Sequence, residues 1–283
     1  MWVWIHASCR GFHEKERWGR TNRRAGQSTC IIVFMLIIIG LLGLILGGAV
    51  NALADSLPHL RKPRLPRCIH CGARRPPAAW LGIMAWPLGA WQCPECEKPR
   101  GLRAVIVEGV AIVGAVLLYL HDPSAISFWT GLLVGFVFLL ITVIDIEHRL
   151  ILEVVSLPSM AIFGIIGILR PDIGWWKTLL GGLVGFGIVL GLFFLGSFFA
   201  RWVALRRGQE LDEVAFGFGD VMLAGLIGLI VGWPGVIVAI LMGVFTAGAF
   251  SLIFILITLL RRQYSPFKAI PYGPFLILGA AFI

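Results

Sequence analysis

Charge is what this sequence has least of. Only 14% of its 283 residues are Asp, Glu, Lys or Arg, against 58% hydrophobic, whereas soluble domains carry roughly 25% charge. With a mean hydropathy of +0.90, that shortage excludes an ordinary water-soluble domain. Three further absences narrow the class. No alternation of apolar and polar residues marks membrane strands, so a β-barrel is excluded. The first apolar run lacks a small-residue cleavage site, which argues against a removed signal peptide. No pair of interrupted half-helices repeats along the chain, which argues against a transporter.

What is present is a series of apolar runs, many of them near the ~20 residues needed to cross a ~30 Å hydrocarbon core. They run from Cys30 to Ala54, Ala104 to Leu120, Ala125 to Ile144, Leu150 to Leu169, Thr178 to Ala200, Asp220 to Gly232 and Val236 to Leu260, with a last one opening at Ala269. The expected fold is therefore an all-α polytopic membrane protein of about eight transmembrane helices. Abundant glycine within the runs suits helices that approach closely in lipid. The closing "IPYGPFLILGAAFI" is 14 residues, short for a span, so the last helix is expected to be half-inserted or cut short.

The formal charge of +9 raises the question of nucleic acid. The basic residues, however, stand in short loops beside apolar runs, where membrane topology explains them, and no nucleic acid is expected. Asp55 to Arg103 holds nine Lys/Arg and three acids, Arg201 to Arg207 three Arg, and Arg261 to Lys268 two Arg and a Lys. Counting spans puts all three loops on one side, which the positive-inside rule makes cytoplasmic. Residues 1–29 carry six Lys/Arg on the opposite side by that count and are read as a basic tail. The expected organisation is that tail, a first transmembrane helix over 30–54, a cytoplasmic loop over 55–103 and a membrane core over 104–283.

The loop between the first two runs has two C-x2-C pairs, Cys68 with Cys71 and Cys93 with Cys96, with 21 residues between them. Two such knuckles set four thiolates around Zn²⁺ in the tetrahedral geometry of closed structural sites. Gly72 and Pro94 suit the tight turns. Reduced thiols on the cytoplasmic side favour metal over disulfides, and two unrelated thiol pairs or a redox site are the alternative. His70 is expected to be exposed, and Cys9 and Cys30 have no partner pattern.

Carboxylates inside or at the edge of membrane helices are costly and usually functional. Here they are Glu108, Asp145, Glu153 and Asp220. Asp145 and Asp220 fall at the cytoplasmic ends of their runs, where they are able to meet. Two carboxylates at close range share a proton, and such a pair supplies the acid and base of aspartic proteases. In "FGFGD", Gly217 and Gly219 lack Cβ atoms and let a backbone pass close to Asp220. A helix N-cap is the competing role for Asp220. Glu108 is read as a polar contact between helices and Glu153 as a group that snorkels to the interface.

In order along the chain stand "GLILGGAVNALADSLP" with Asn51, the four cysteines, "IDIEHRLILEVVSLP" followed by "GFGDVMLAG", and "IPYGPFLILGA". From about Gly43 onward this series resembles the type IV prepilin peptidases, bifunctional leader peptidases and N-methyltransferases of the GxGD aspartic protease group. Asp145 and Asp220 match that family's two catalytic aspartates. The sequence departs from it at Ile151-Leu152-Glu153, where Leu-Pro-Asp is common, and at Val221-Met222, where a basic residue often follows. The resemblance implies a membrane-embedded endopeptidase of the cytoplasmic (inner) membrane, acting on prepilins or pseudopilins beside membrane lipid. It also implies S-adenosylmethionine as methyl donor to the new N-terminus. A related GxGD protease acting on other signal peptides and a silent membrane scaffold are the alternatives.

Overall fold

The computed structural model describes residues 20–60, 62–63, 65–68, 70–170, 174–207, 217–261 and 271–283. The tail before residue 20, the loop over 262–270 and Phe216 of FGFGD lie outside the described residues, as do the side chains of Cys9 and Cys30. The described chain is all helix apart from loops and two isolated bridges. The elements are α1 (Arg20–Leu60), a 3-10 turn (Pro77–Ala79), α2 (Gly82–Ala85), α3 (Arg103–His121), α4 (Ala125–His148), α5 (Glu153–Leu169), α6 (Trp175–Arg207), α7 (Phe218–Val231), α8 (Gly235–Leu260) and α9 (Gly273–Ala281).

The expectation of about eight spans is not met as a count. Among the described residues, five helices are long and apolar enough to cross a membrane, with candidate spans Ile31–Pro58, Arg103–His121, Ala125–His148, Trp175–Phe198 and Gly235–Leu260. α5 and α7 are shorter apolar helices of 17 and 14 residues, and α9 has nine. At 1.5 Å per residue a 14-residue helix covers about 21 Å, less than the hydrocarbon core. Two boundaries also differ from the hydropathy reading. α1 begins at Arg20 and α6 continues through Arg207, so Arg201 to Arg207 is helix and not loop. Arg is a good helix former; its charge ends the apolar run without ending the hydrogen-bond ladder.

Two compact units divide the chain. The first comprises the chain to Asp55 and Arg64–Phe136, the second Ser56–Pro63 and Val137–Ile283. In the first, Ile39, Ala115, Phe128 and Leu132 form a buried cluster. α1 meets α3 through Gly43 and Gly47: a Cβ at Gly43 would stand 2.7 Å from the Ala111 carbonyl, and one at Gly47 2.7 Å from the Glu108 Cα. This is the small-xxx-small spacing by which membrane helices bring backbones together.

In the second unit, Val189, Val221, Ala224, Val236 and Ile240 form the core. α7 is wrapped by its own unit, with Val221, Leu223, Ala224, Leu226 and Ile227 all buried. α6 and α7 touch backbone to backbone at Gly181 and Gly228, and α8 and α9 do so at Gly243 and Gly279. Burial inside protein explains how a helix as short as α7 holds its place.

Candidate active site and metal centre

Asp145 lies in the last turn of α4 and is 5% exposed. The helix stops just beyond it. Arg149, at φ 54°, takes the left-handed conformation that often ends helices, and its N–H donates to the Asp145 carbonyl at 2.8 Å. The turn leads through Ile151 into α5, whose first residue is Glu153. Glu153 is exposed and its negative charge suits a helix N-terminus.

The Asp145 carboxylate has a backbone partner 128 residues away. The Gly273 N–H donates to its Oδ2 at 3.0 Å. Gly273 opens α9, with Pro following it in the first turn, so the carboxylate faces the positive end of a helix dipole through an N–H that the helix itself leaves unpaired. A Cβ on Gly273 would stand 2.7 Å from that Oδ2. Only glycine allows this approach.

Asp220 sits at the third position of α7, with Gly217 as N-cap. It is therefore not the N-cap itself, but its Oδ2 accepts from the Gly217 N–H at 3.1 Å, which is the carboxylate half of a capping box. Gly219 has a different part from Gly217. A Cβ there would lie 2.6 Å from the Ile151 Cβ and 3.2 Å from the Ile151 carbonyl, whereas a Cβ on Gly217 would meet nothing closer than 3.7 Å. The backbone passing beside Gly219 is thus the loop that follows Asp145. Ile151 also lies 3.5 Å from the Cβ position of Gly273. Asp145, Ile151, Gly219, Asp220 and Gly273 form one contiguous group in the second unit. Asp145 lies within electrostatic range of Asp220, and so does Tyr272, the residue before α9.

Sequence reasoning singled out both aspartates and both glycines but assigned nothing to Gly273 or Ile151. The Gly-Pro pair opening the final apolar run was the available signal, since Pro favours the first turn of a helix.

The four cysteines meet in the first unit. Their Sγ atoms all lie within 4.8 Å of one another, with Cys68 to Cys96 and Cys71 to Cys93 at 3.6 Å. Four ligands at a Zn–S distance of ~2.3 Å stand about 3.8 Å apart on a tetrahedron, so the thiols are spaced to hold zinc. Both knuckles fold alike: the Gly72 N–H bonds the Cys68 carbonyl and the Glu97 N–H that of Cys93, each at 2.9 Å. Gly72 and Glu97 occupy the same left-handed position, at φ 74° and 58°. Burial would push the Cys68 thiol up, but the N–H groups of Cys71 and His70 and the Cys96 thiol outweigh it and bring it down to about 6. The neighbouring Cys71 and Cys96 thiols are pushed up by the same sharing of protons within the cluster, so the spacing of the four sulfurs is what points to a metal. His70 is exposed.

Glu108 is fully buried, at 0% exposure, in α3. Its carboxylate accepts from the N–H groups of Gly82 at 2.6 Å and Ile83 at 2.8 Å, which start α2, and from Asn51 Nδ2 of α1 at 3.4 Å. It is a polar contact between helices, as read from the sequence, and also the anchor of the cysteine loop. Asn51 donates a second bond to the Ala104 carbonyl at 3.0 Å.

Fold and site together describe a multi-pass helical protein with a metal-binding loop and a carboxylate pair at the ends of two helices. Residues 132–252 match the type IV leader peptidase family, a stretch that contains both aspartates. The chain is 24% identical to the prepilin leader peptidase/N-methyltransferase of Legionella pneumophila over 87% of this chain and 89% of the relative. The enzyme of that name from Pseudomonas aeruginosa is 24% identical, over 88% and 89%. That of Burkholderia pseudomallei strain 1026b is 26% identical, over 80% and 69%. No solved structure matches the chain.

Proposed function

We propose that this protein is a membrane aspartic endopeptidase that removes the basic leader from type IV prepilins or pseudopilins at the cytoplasmic face of the inner membrane, with Asp145 and Asp220 as its catalytic pair. The observation that carries the proposal is the geometry around Asp145: a buried carboxylate held by the Gly273 N–H, within electrostatic range of Asp220. One carboxylate takes a proton from water as the water attacks the scissile carbonyl. The other, protonated, donates to the carbonyl oxygen, and the proton then passes to the leaving amine. Gly217 fixes Asp220 through its N–H, while Gly219 makes room for Ile151. A prepilin presents a basic leader to water and an apolar helix to lipid, so its scissile bond falls at the membrane border. The basic residues beside the apolar runs support a cytoplasmic border through the positive-inside rule.

Zn²⁺ held by Cys68, Cys71, Cys93 and Cys96 is part of the proposal as a structural ion; when bound it ties the two knuckles into one loop domain. The names of the relatives extend the proposal to N-methylation of the new N-terminus, for which S-adenosylmethionine would supply the methyl group. No residue is assigned to that donor.

The test is incubation of the purified protein in detergent with a prepilin from the same genome and mass analysis of the products. Cleavage between the basic leader and the apolar helix is expected. An intact prepilin, with cleavage instead of an unrelated signal peptide, would favour the related GxGD protease, and no cleavage of either would leave a silent scaffold.

A further inference from the structure

The cysteine loop contains a feature that neither metal binding nor peptide cleavage uses. Between its knuckles it reads "AAWLGIMAWPLGAWQ", and four of its large apolar side chains, Trp80, Met84, Trp86 and Leu88, are exposed. Trp86 is 77% exposed and Leu88 62%, on the turn that follows α2. Exposed large apolar groups gathered on a loop mark an interaction surface. Trp86 borders a groove of about 470 Å³ lined also by Gly82, Ile83, Trp91, Leu102 and Val105.

The height of this turn is fixed by Glu108. The carboxylate holds the Gly82 and Ile83 N–H groups, and Gly82 lies flat against α3, since a Cβ there would be 3.0 Å from the Ala104 Cβ. Gly82 meets Ala104, and the groove is lined by Leu102 and Val105, so the turn lies beside the first turn of a helix that is itself a candidate span. α2 is thereby tied beside the first turns of a membrane-crossing helix and not above them. Leu102, at 73% exposure, joins the groove to the exposed stripe of α3 formed by Ile106, Val110, Val113 and Leu117. That stripe faces acyl chains when α3 spans.

We infer that the Trp86 turn is a membrane-interface wedge, seated at the boundary between lipid headgroups and acyl chains beside α3. The inference rests on α3 spanning a bilayer and is independent of the peptidase chemistry. A turn level with Leu102, Ala104 and Val105 stands where that candidate span begins, at the boundary that interfacial apolar faces occupy. Trp, with an apolar ring and one N–H, is the residue enriched at that level. The same loop exposes Arg67, Arg74 and Lys98 alongside Glu95 and Glu97, so its charge is mixed and the apolar turn carries the inference. Continuity with the lipid-facing stripe of α3 favours lipid over a peptide partner.

The experiment uses the full chain labelled with 5-fluorotryptophan in lipid nanodiscs. The fluorine resonance absent from Trp86→Phe belongs to Trp86. Its broadening is measured with a nitroxide carried near the top of the lipid acyl chain and, separately, with a soluble gadolinium chelate. The wedge predicts that the lipid nitroxide broadens it at least about threefold more than the chelate does, as for any ring at the headgroup boundary. Stronger broadening by the chelate overturns the proposal, and relief of that broadening on adding a prepilin would give the surface to the substrate instead. Broadening of the tryptophan envelope as a whole by the lipid nitroxide reports insertion of the protein, which separates failure of the wedge from failure of the membrane reading. Should Trp86→Phe not fold, Trp91→Phe assigns the neighbouring indole, for which the same outcome holds.

Discussion

Gly273 has no side chain, and that is its contribution to the candidate active site. Its N–H reaches Asp145 only because nothing projects between them. Gly273→Ala is expected to push the carboxylate aside and lower kcat about 10²-fold, the scale of a misplacement of ~1 Å at a reacting centre. Thermal stability should change far less than activity, so cleavage assays paired with unfolding scans separate the two. Gly217 offers the contrast. Its N–H bonds Asp220, its φ of −80° suits any residue, and a Cβ there would come no closer than 3.7 Å, to the Asp220 Oδ2, an ordinary van der Waals contact. Gly217→Ala should leave kcat within about threefold of wild type, whereas Gly219→Ala, crowding Ile151, should behave like Gly273→Ala. In the zinc knuckles the informative residue is Glu97, which holds the left-handed position that Gly72 fills in the first knuckle. Glu97→Gly is expected to relieve strain and stabilise the loop by about 0.5–1 kcal/mol, read as a later thermal transition.

Glu108 acts at the scale of elements, joining α3 to α2 and α1. Glu108→Ala would leave the Gly82 and Ile83 N–H groups without their acceptor, at a cost of about 1–3 kcal/mol for each group that stays dry. Limited proteolysis of residues 70–100 should accelerate in that variant, and Glu108→Gln, which keeps one acceptor oxygen, should recover part of the protection. The contact was legible in the sequence as a lone carboxylate in an apolar run. Its partners were not, because backbone N–H groups carry no sequence signature. Gly273 was hidden for the same reason, compounded by a separation of 128 residues. The helices themselves were legible wherever an apolar run and a hydrogen-bond ladder end together, as at Ala125 and Leu260. The candidate spans Ile31–Pro58 and Trp175–Phe198 lie close to the apolar runs read from the sequence, while the ladders run on through charged residues to Arg20 and Arg207, which hydropathy does not register.

For the whole molecule, scarcity of charge fixed the class and the few charges that remain carry the chemistry. The two compact units divide the proposed labour, with the thiol quartet in one and the carboxylate pair in the other. Metal analysis of the purified protein should find one zinc per chain. Cys68→Ser should lose it and expose the loop to protease, while cleavage of prepilin falls by less than about tenfold, because a closed structural site contributes folding energy and no reacting group. A Cys68→Ser protein that retains full zinc would contradict the metal assignment.

The central claim is that Asp145 and Asp220 act as one catalytic unit, and the most direct measurement is single-turnover cleavage of a prepilin by Asp145→Asn, Asp220→Asn and the double variant, each shown to be folded. The account predicts that each single change lowers the rate by about 10³-fold or more and that the double variant is no slower than either, as for residues that work together. Retention of cleavage by either single variant, or independent losses that multiply in the double, would contradict it.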